Sequence, residues 1–211
     1  MLEGIPGIAA RFYKAFAAKA LGGFHRRIAL EILSGIPSGS ILDVGTGPGN
    51  LPLEMAGRAG CLKLVGIDIS PAMIAMSREN SARIGTDNLS FDVADVHELP
   101  YPDGSFDFLV STLALHHWRD RARAFEECYR VLKPGGSARI YEIRKDASWS
   151  EVLGAIKGRS AAERYLSFAL HWHGLPTRDF YGEIRELLGE AGFRDITMVE
   201  EGPFMRIGLK R

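Results

Sequence analysis

Short apolar runs alternate with amphipathic stretches along the chain, and this alternation predicts strands and helices in turn. Apolar positions recur at helical spacing between residues 8 and 35, in two runs separated by Gly22-Gly23, and predict two helices before the first strand. Continuous apolar runs then predict buried strands, which begin at about Ser40 and recur at residues 62–67, 89–93, 106–112 and 138–143. Strands that alternate with helices are typical of a mainly parallel sheet covered on both faces.

Helix signals fill the gaps between these strands. Ser70-Pro71 predicts a helix start that runs to about Ile84, and a helix from about residue 119 to 132 is closed by Lys133-Pro134-Gly135-Gly136. Residues 148–178 are predicted to be helical in pieces, and residues 180–191 form a helix closed by Gly192. The runs at 196–199 and 204–209 predict an antiparallel hairpin at the edge of the sheet.

Three glycines at alternate positions follow the first strand, after Asp43. Gly45, Gly47 and Gly49 allow positive φ and a close approach of the backbone to a ligand, because no Cβ stands in the way. The apolar stretch after them suits a helix, whose free N–H groups would point into the turn. A strand, a glycine turn and a helix form half of a nucleotide-binding βαβ unit.

Acidic residues end the next two strands. In open α/β sheets a ligand lies outside the carboxyl ends of the strands, where strand order reverses. Asp68 comes 19 residues after Gly49 and could accept hydrogen bonds from ribose hydroxyls, and Asp95 could accept from an exocyclic amine such as adenine N6 while Val96 packs on the ring. The alternative for each acid taken alone is a solvated carboxylate at a strand end or in a loop.

Four motifs in order resemble the class I S-adenosylmethionine (SAM)-dependent methyltransferases, in the ubiquinone/menaquinone-biosynthesis-like (methyltransferase type 11) branch. The motifs are Ile41 to Leu51, Val65 to Asp68, Asp95 to Asp107 and Arg130 to Gly136, and the resemblance spans about half of the chain. It implies a Rossmann-like α/β fold with a seven-stranded, mainly parallel sheet of order 3-2-1-4-5-7-6, strand 7 antiparallel, helices on both faces and an N-terminal helical cap over residues 1–38. The hairpin predicted from the residues alone agrees with this topology.

The resemblance also implies a cofactor site for SAM, with S-adenosylhomocysteine as product. In it the turn from Asp43 to Gly49 holds the methionine moiety, Asp68 binds the ribose, Asp95 accepts from the adenine amine, and Ile69 and Val96 enclose the adenine. Met73 would close the pocket beside Ile69, although a Met at that position could be plain core. The complete set of cofactor candidates is Asp43, Gly45, Thr46, Gly47, Gly49, Asp68, Ile69, Met73, Asp95, Val96, Ser111 and Tyr13, the last as a cap over the cofactor.

The reaction implied is in-line displacement at a methyl group, which needs a general base only if the acceptor is protonated. His116 is the candidate base, and a structural role for it, such as capping the following helix, is the competing interpretation. His116 and His117 are adjacent and are expected to point in different directions, so no metal site is expected. Six rings between residues 165 and 180 predict either an acceptor-pocket or lid insertion over residues 158–180 or core packing.

Composition limits the partners. The 26 basic and 26 acidic residues balance, so no nucleic-acid partner is expected, and Cys61 and Cys128 stand alone, without a disulfide or zinc pattern. No stretch offers about 18 unbroken apolar residues. The expectation is a single cytoplasmic domain over residues 1–211, a monomer or homodimer without a membrane span, that acts on a small-molecule acceptor.

Two other functions fit parts of this pattern. A nicotinamide-dependent oxidoreductase would share the glycine turn and Asp68, but the third glycine comes one residue early for G-x-G-x-x-G and Asp95 would have no role. A catalytically idle SAM-fold subunit that supports a partner protein is the other alternative. The sequence leaves open the acceptor and whether oxygen, nitrogen or carbon is methylated.

Overall fold

In the computed structural model, residues 22–58, 60–156 and 174–211 are described. In chain order the elements are α1 (22–35), β1 (Gly39–Val44), α2 (Asn50–Ala56), β2 (Leu62–Asp68), α3 (Pro71–Ile84), β3 (Leu89–Val93), β4 (Phe106–Thr112), α4 (Arg121–Val131), β5 (Leu132–Ile143), α5 (Trp149–Ile156), α6 (Thr177–Asp179, Phe180–Ile184 and Arg185–Glu190 in succession), β6 (Arg194–Glu201) and β7 (Phe204–Lys210).

The seven strands form one sheet in the order β3-β2-β1-β4-β5-β7-β6. The first five strands run parallel, β7 is antiparallel to β5, and β6 is antiparallel to β7. This confirms the predicted topology, including the C-terminal hairpin. The strand order reverses between β1 and β4, so a ligand crevice is expected where these two strands end.

Apolar side chains cover both faces of the sheet. On one face Ile41 of β1 and Phe108 of β4 join a cluster with Ile28 of α1 and Met55 of α2. On the other face the neighbouring strand positions pack with α4 and α6, in a cluster that includes Leu42, Leu109, Phe125, Ile184 and Leu188. Because successive strand side chains point to opposite faces, two helical layers enclose the sheet.

Local signals set several helix ends. The Ser70 hydroxyl accepts a hydrogen bond from the Met73 N–H at 3.4 Å, Pro71 opens α3, and Gly85 closes it with a φ of 70°. Asp120 caps α4 by accepting from the Arg123 N–H at 3.0 Å. These are ordinary N-caps and a left-handed C-terminal residue.

Some predicted boundaries are wrong. β5 begins at Leu132 and not at about Ala138, because Leu132 already pairs with Phe106; residues 133–136 lie in the irregularity between that pair and the Phe108–Ser137 pair. Gly22 and Gly23 lie within α1, where packing of Ile28 on the core outweighs the low helix propensity of glycine. α6 begins at Thr177 and contains a π-helical stretch, Phe180–Ile184.

Two predicted features, the helix before Gly22 and residues 158–173 of the lid segment, lie outside the described residues. Within the described ranges, no helix is both long and apolar enough to cross a membrane.

Candidate functional site

The glycine turn lies where β1 ends, and all three of its glycines have the predicted positive φ: 74° at Gly45, 54° at Gly47 and 83° at Gly49. A Cβ on Gly45 would lie 2.5 Å from the Cβ of Ala114, and one on Gly49 would lie 2.7 Å from the Phe91 ring. A Cβ on Gly47 would meet no described atom within 4 Å. The turn is thus packed at both ends, while its middle is open.

Asp43 is the last residue but one of β1 and is 1% exposed. Its Oδ2 accepts a 2.7 Å hydrogen bond from the Thr46 hydroxyl, whereas its Oδ1 has no partner among the described residues. Burial raises the pKa of Asp43 to about 7, the Thr46 hydrogen bond lowers it, and the charge of Asp68 adds to the rise. A buried carboxyl oxygen without a donor is costly, so this position favours a cationic or hydrogen-bonding ligand.

Asp68 ends β2 and connects the glycine turn to the next helix. Its Oδ2 accepts from the Gly47 N–H and its Oδ1 from the Ser70 N–H, both at 2.9 Å. A carboxylate has about four acceptor positions, so Asp68 keeps capacity for further donors. Ile69, directly after it, is 67% exposed.

Asp95 follows β3 and is held by His97. Its Oδ1 accepts from the His97 N–H at 3.0 Å and from the His97 Nδ1 at 2.5 Å. Burial raises the pKa of Asp95, but these hydrogen bonds outweigh it and hold the pKa below its usual value. The Nε2 of His97 accepts from the Asp120 N–H at 3.2 Å, so the ring ties Asp95 to the start of α4.

Two further cofactor candidates lie beside these acids. Val96, next to Asp95, is 8% exposed and belongs to the core cluster under β1 and β2. Met73, in the first turn of α3, is half-buried.

The end of β4 is joined to β1 and then turns sharply. Ser111 is fully buried, and its hydroxyl donates to the Val44 carbonyl at 2.8 Å, so it holds the two strands together; its role as a cofactor ligand stays a prediction. Leu113 has a φ of 57°, rare for a branched side chain, and its N–H donates to the Tyr141 carbonyl at 2.8 Å. This turn directs the chain into a short 3-10 helix, Leu115–His117.

His116 in that 3-10 helix is bound to a carboxylate on the next strand. Its Nδ1 lies 3.0 Å from Oε1 of Glu142, and its backbone N–H donates to Oε2 at 3.1 Å. Glu142 is fully buried near the end of β5 and also accepts from the Ile143 N–H at 2.8 Å. Three donors therefore surround this one carboxylate.

The expectation for His117 is wrong. The rings of His116 and His117 do not diverge but lie 3.9 Å apart at 49°, because the 3-10 turn brings adjacent side chains closer than a strand would. Neither ring caps α4, which Asp120 does. No group of three or more possible metal ligands occurs in the described part of the chain.

Sequence reasoning missed Glu142 and His97. Glu142 sits at the carboxyl end of a buried strand, as Asp43 and Asp68 do, and that shared position was the available signal. His97 did not follow a strand directly, and Asp120, the second partner of its ring, lies 23 residues further along the chain. Of the other candidates, Tyr13 lies outside the described residues, and Phe180 from the predicted lid segment is fully buried core.

Comparison with known proteins places this geometry in a family. The family model for a methyltransferase domain matches residues 42–140. The ubiquinone/menaquinone biosynthesis C-methyltransferase of Geobacter sp. strain M21 is 31% identical over 188 residues, which cover 81% of this chain and 77% of that protein. The chain belongs to the class I SAM-dependent methyltransferases, in the ubiquinone/menaquinone-biosynthesis-like branch.

The matches differ in how much of each chain they cover. A second ubiquinone/menaquinone biosynthesis C-methyltransferase, from Geotalea daltonii, is 35% identical over 120 residues, so the match covers 56% of this chain and about half (51%) of that relative. The crystal structure of a SAM-dependent methyltransferase from Methanococcus maripaludis has a TM-score of 0.78 at 23% identity, with 100% of this chain and 97% of that chain covered. The structural likeness shows a shared fold.

The residues present fit the SAM cofactor of this methyltransferase family. SAM carries an ammonium group, and the orphaned, buried Oδ1 of Asp43 is an acceptor suited to such a donor. The open Gly47 leaves room for a ligand beside it, and Asp68 keeps acceptor capacity at the end of β2. The exposed Ile69 offers an apolar surface for a ring.

Proposed function

We propose that this protein transfers the methyl group of SAM to a small-molecule acceptor and releases S-adenosylhomocysteine. The observation that carries this proposal is the Oδ1 of Asp43, a buried oxygen without a partner among the described residues, beside a glycine turn open at Gly47. The family to which the chain belongs supports the same reaction.

In the proposed complex each strand end has one task. Asp43 and the turn of Gly45, Thr46, Gly47 and Gly49 hold the methionine moiety, and Asp68 accepts from the ribose hydroxyls. Asp95 accepts from the adenine amine through Oδ2, since His97 already occupies Oδ1. Ile69 and Val96 enclose the adenine, Met73 closes the pocket beside Ile69, and Ser111 and Tyr13 complete the predicted cofactor set.

Bound SAM supplies a methyl group on a positively charged sulfur, which is already a good electrophile. The protein therefore contributes chiefly orientation and the exclusion of water. Asp43 would hold the aminoacyl part of SAM and Asp68 its ribose, and together they would orient the cofactor toward the acceptor.

The first acceptor class to test is a hydroxylated aromatic ring. The relatives with this branch's name are C-methyltransferases of ubiquinone and menaquinone biosynthesis, whose names point to quinone chemistry. The balanced net charge favours a small neutral or weakly acidic acceptor over a polyanion. We place the protein in the cytoplasm because its two cysteines are unpaired and one, Cys61, is exposed. Its state as a monomer or homodimer stays a prediction.

Calorimetry with SAM, S-adenosylhomocysteine and NADH tests the cofactor. Binding of the first two and not of NADH is expected, and binding of NADH alone would favour the oxidoreductase. Cell extract incubated with the protein and deuteromethyl-SAM then tests the reaction by mass spectrometry. A metabolite about three mass units heavier than its precursor is expected, and its absence despite SAM binding would contradict the methyltransferase activity.

A further inference from the structure

His116 and Glu142 form a buried pair that the cofactor site does not use. The His116 side chain is 9% exposed and the Glu142 side chain 0%. A carboxylate only accepts hydrogen bonds, so Nδ1 of His116 carries the hydrogen shared with Glu142. Nε2 is then left with a lone pair, and the hydrogen bonds of His116 to described residues use its Nδ1 and its backbone N–H, not Nε2.

Glu142 is committed to this arrangement. Oε1 accepts from the His116 ring and from the Ile143 N–H, and Oε2 accepts from the His116 N–H. The carboxylate thus accepts hydrogen bonds from both the backbone and the ring of His116. Such a pair fixes the tautomer and the orientation of an imidazole and stabilises the imidazolium when Nε2 gains a proton.

The pair lies beside the proposed methyl-donor site. Ala114, two residues before His116, contacts the glycine turn so closely that a Cβ on Gly45 would lie 2.5 Å from its own Cβ. The hydroxyl of Ser111 ties the same end of β4 to Val44, which immediately precedes that turn. The segment from Ser111 to His116 therefore lies between the glycine turn and β5, next to the proposed cofactor site.

We propose that His116 is the general base of the reaction and that Glu142 is its positioning residue, with the hydroxylated aromatic ring of the proposed function as acceptor. This proposal rests on the proposed function. Nε2 takes the proton of the acceptor O–H, and the freed electron pair, on oxygen or on the ring carbon conjugated with it, forms the bond to the methyl carbon. The carbon–sulfur bond breaks with its electrons on sulfur, which gives neutral S-adenosylhomocysteine. His116 then releases one proton to water; if carbon is methylated, the ring carbon loses its hydrogen and the oxygen regains one.

A purely structural role makes a different prediction. If Glu142 only anchors the 3-10 helix Leu115–His117, removal of the His116 ring should affect all acceptors alike. If His116 is a base, its removal matters for an acceptor that holds its proton and not for one that is already ionised. The acidity of the acceptor therefore separates the two roles.

The first measurement is the nitrogen NMR spectrum of the His116 ring in the free protein. The wild type is expected to show a single tautomer with hydrogen on Nδ1. Glu142→Gln offers one acceptor oxygen and one amide donor to three N–H groups, so it is expected to show a second signal with hydrogen on Nε2. A wild-type ring with its hydrogen on Nε2 would overturn the assignment of Nε2 as base without any activity assay.

The second measurement compares hydroquinone with nitrohydroquinone, which is largely ionised at mildly alkaline pH. His116→Gln is expected to lower kcat/KM for hydroquinone by about a hundredfold or more, and for nitrohydroquinone by less than about threefold. Glu142→Gln should lower the hydroquinone rate by about tenfold in the same selective way. His117→Gln, the matched control, leaves both hydrogen bonds between His116 and Glu142 in place, and because its ring lies 3.9 Å from the His116 ring it should change both rates by the same factor.

Equal losses for both acceptors in His116→Gln would overturn the base. A wild type that binds S-adenosylhomocysteine in calorimetry but methylates neither acceptor would contradict the hydroxylated-ring acceptor that the base requires. Failure of S-adenosylhomocysteine to bind the wild type would instead contradict the proposed function, and the inference with it.

Discussion

The ends of β1 to β3 and the ends of β4 and β5 both carry buried or half-buried carboxylates, but they use them differently. Asp43 has one oxygen without a described partner, and Asp68 accepts one backbone bond on each oxygen. Glu142 accepts three hydrogen bonds, all from its own chain. The first region keeps acceptor capacity for a ligand, whereas Glu142 can act on a ligand only through His116.

This difference divides the expected effects of mutations. Changes at the ends of β1 to β3, the cofactor side, should alter affinity for S-adenosylhomocysteine. Changes at His116 and Glu142, the acceptor side after β4 and at the end of β5, should alter the rate with protonated acceptors and leave that affinity alone. A variant on the acceptor side that lowers the affinity for S-adenosylhomocysteine would show that the two sides act as one site.

The largest effect is expected where the two sides touch, at Gly45→Ala. The new Cβ would have a left-handed φ and would lie 2.5 Å from the Cβ of Ala114. We expect a loss of about 2–5 kcal/mol in the free energy of unfolding, from backbone strain plus overpacking. Urea denaturation measures the loss, and calorimetry should detect no S-adenosylhomocysteine binding.

Gly47→Ala is the matched control for that variant. It imposes the same left-handed φ but its Cβ meets no described atom within 4 Å, so only the strain of about 1–2 kcal/mol is expected. Adding Ala114→Gly to Gly45→Ala should restore part of the stability. If Gly45→Ala and Gly47→Ala lose the same stability, the contact between the two sides is not what makes Gly45 necessary.

The second effect in size is expected from Asp43→Asn. An ammonium bound at Oδ1 favours the ionised carboxyl, and the amide can offer an NH₂ group there instead. We expect a 10- to 100-fold loss of S-adenosylhomocysteine affinity near pH 7.5, about 1.4–2.8 kcal/mol. Glu142→Gln is the comparison variant and should bind within about twofold of the wild type; an equal loss in both would break the division between the sides.

Asp43 also predicts a dependence on pH. Its pKa is raised from 3.8 to about 7 in the folded protein, so between those values the folded chain holds a proton that the unfolded chain has lost. Its contribution to stability is therefore present below about pH 4 and is lost as the pH rises to about 7. Affinity for S-adenosylhomocysteine should rise over the pH range from 6 to about 7.5 in the wild type, and this rise should be missing in Asp43→Asn.

The cofactor side could be predicted from the sequence because its signals are local. Clear apolar runs mark β1 and β2, and Asp43 and Asp68 lie at the carboxyl ends of these strands, as expected. The glycines at 45, 47 and 49 follow β1 and have the expected positive φ. The sheet order could be predicted from the resemblance, and it is confirmed. Strand ends and glycine turns are determined within a few residues, so a sequence displays them directly.

The acceptor side could not be predicted in the same way because its contacts join distant parts of the chain. His116 and Glu142 are 26 residues apart and meet because β4 and β5 are adjacent in the sheet. The contact of the His116 and His117 rings depends on a 3-10 turn after Leu113. Leu113 has a positive φ, which a leucine at that position does not predict. The β5 boundary was wrong for a related reason, since Leu132 already pairs with Phe106 and residues 133–136 lie in the irregularity before the Phe108–Ser137 pair.

The smallest effect is expected from Ile69→Ala, which tests the outer edge of the cofactor side. Ile69 is 67% exposed, so its truncation should cost little stability, but an adenine ring packed on it would lose apolar contact. We expect a three- to tenfold loss of S-adenosylhomocysteine affinity by calorimetry, about 0.7–1.4 kcal/mol. Ile84→Ala, at the far end of α3 and 51% exposed, is the matched control and should leave the affinity unchanged. If both variants bind like the wild type, Ile69 does not contact the cofactor, and the cofactor side ends at Asp68.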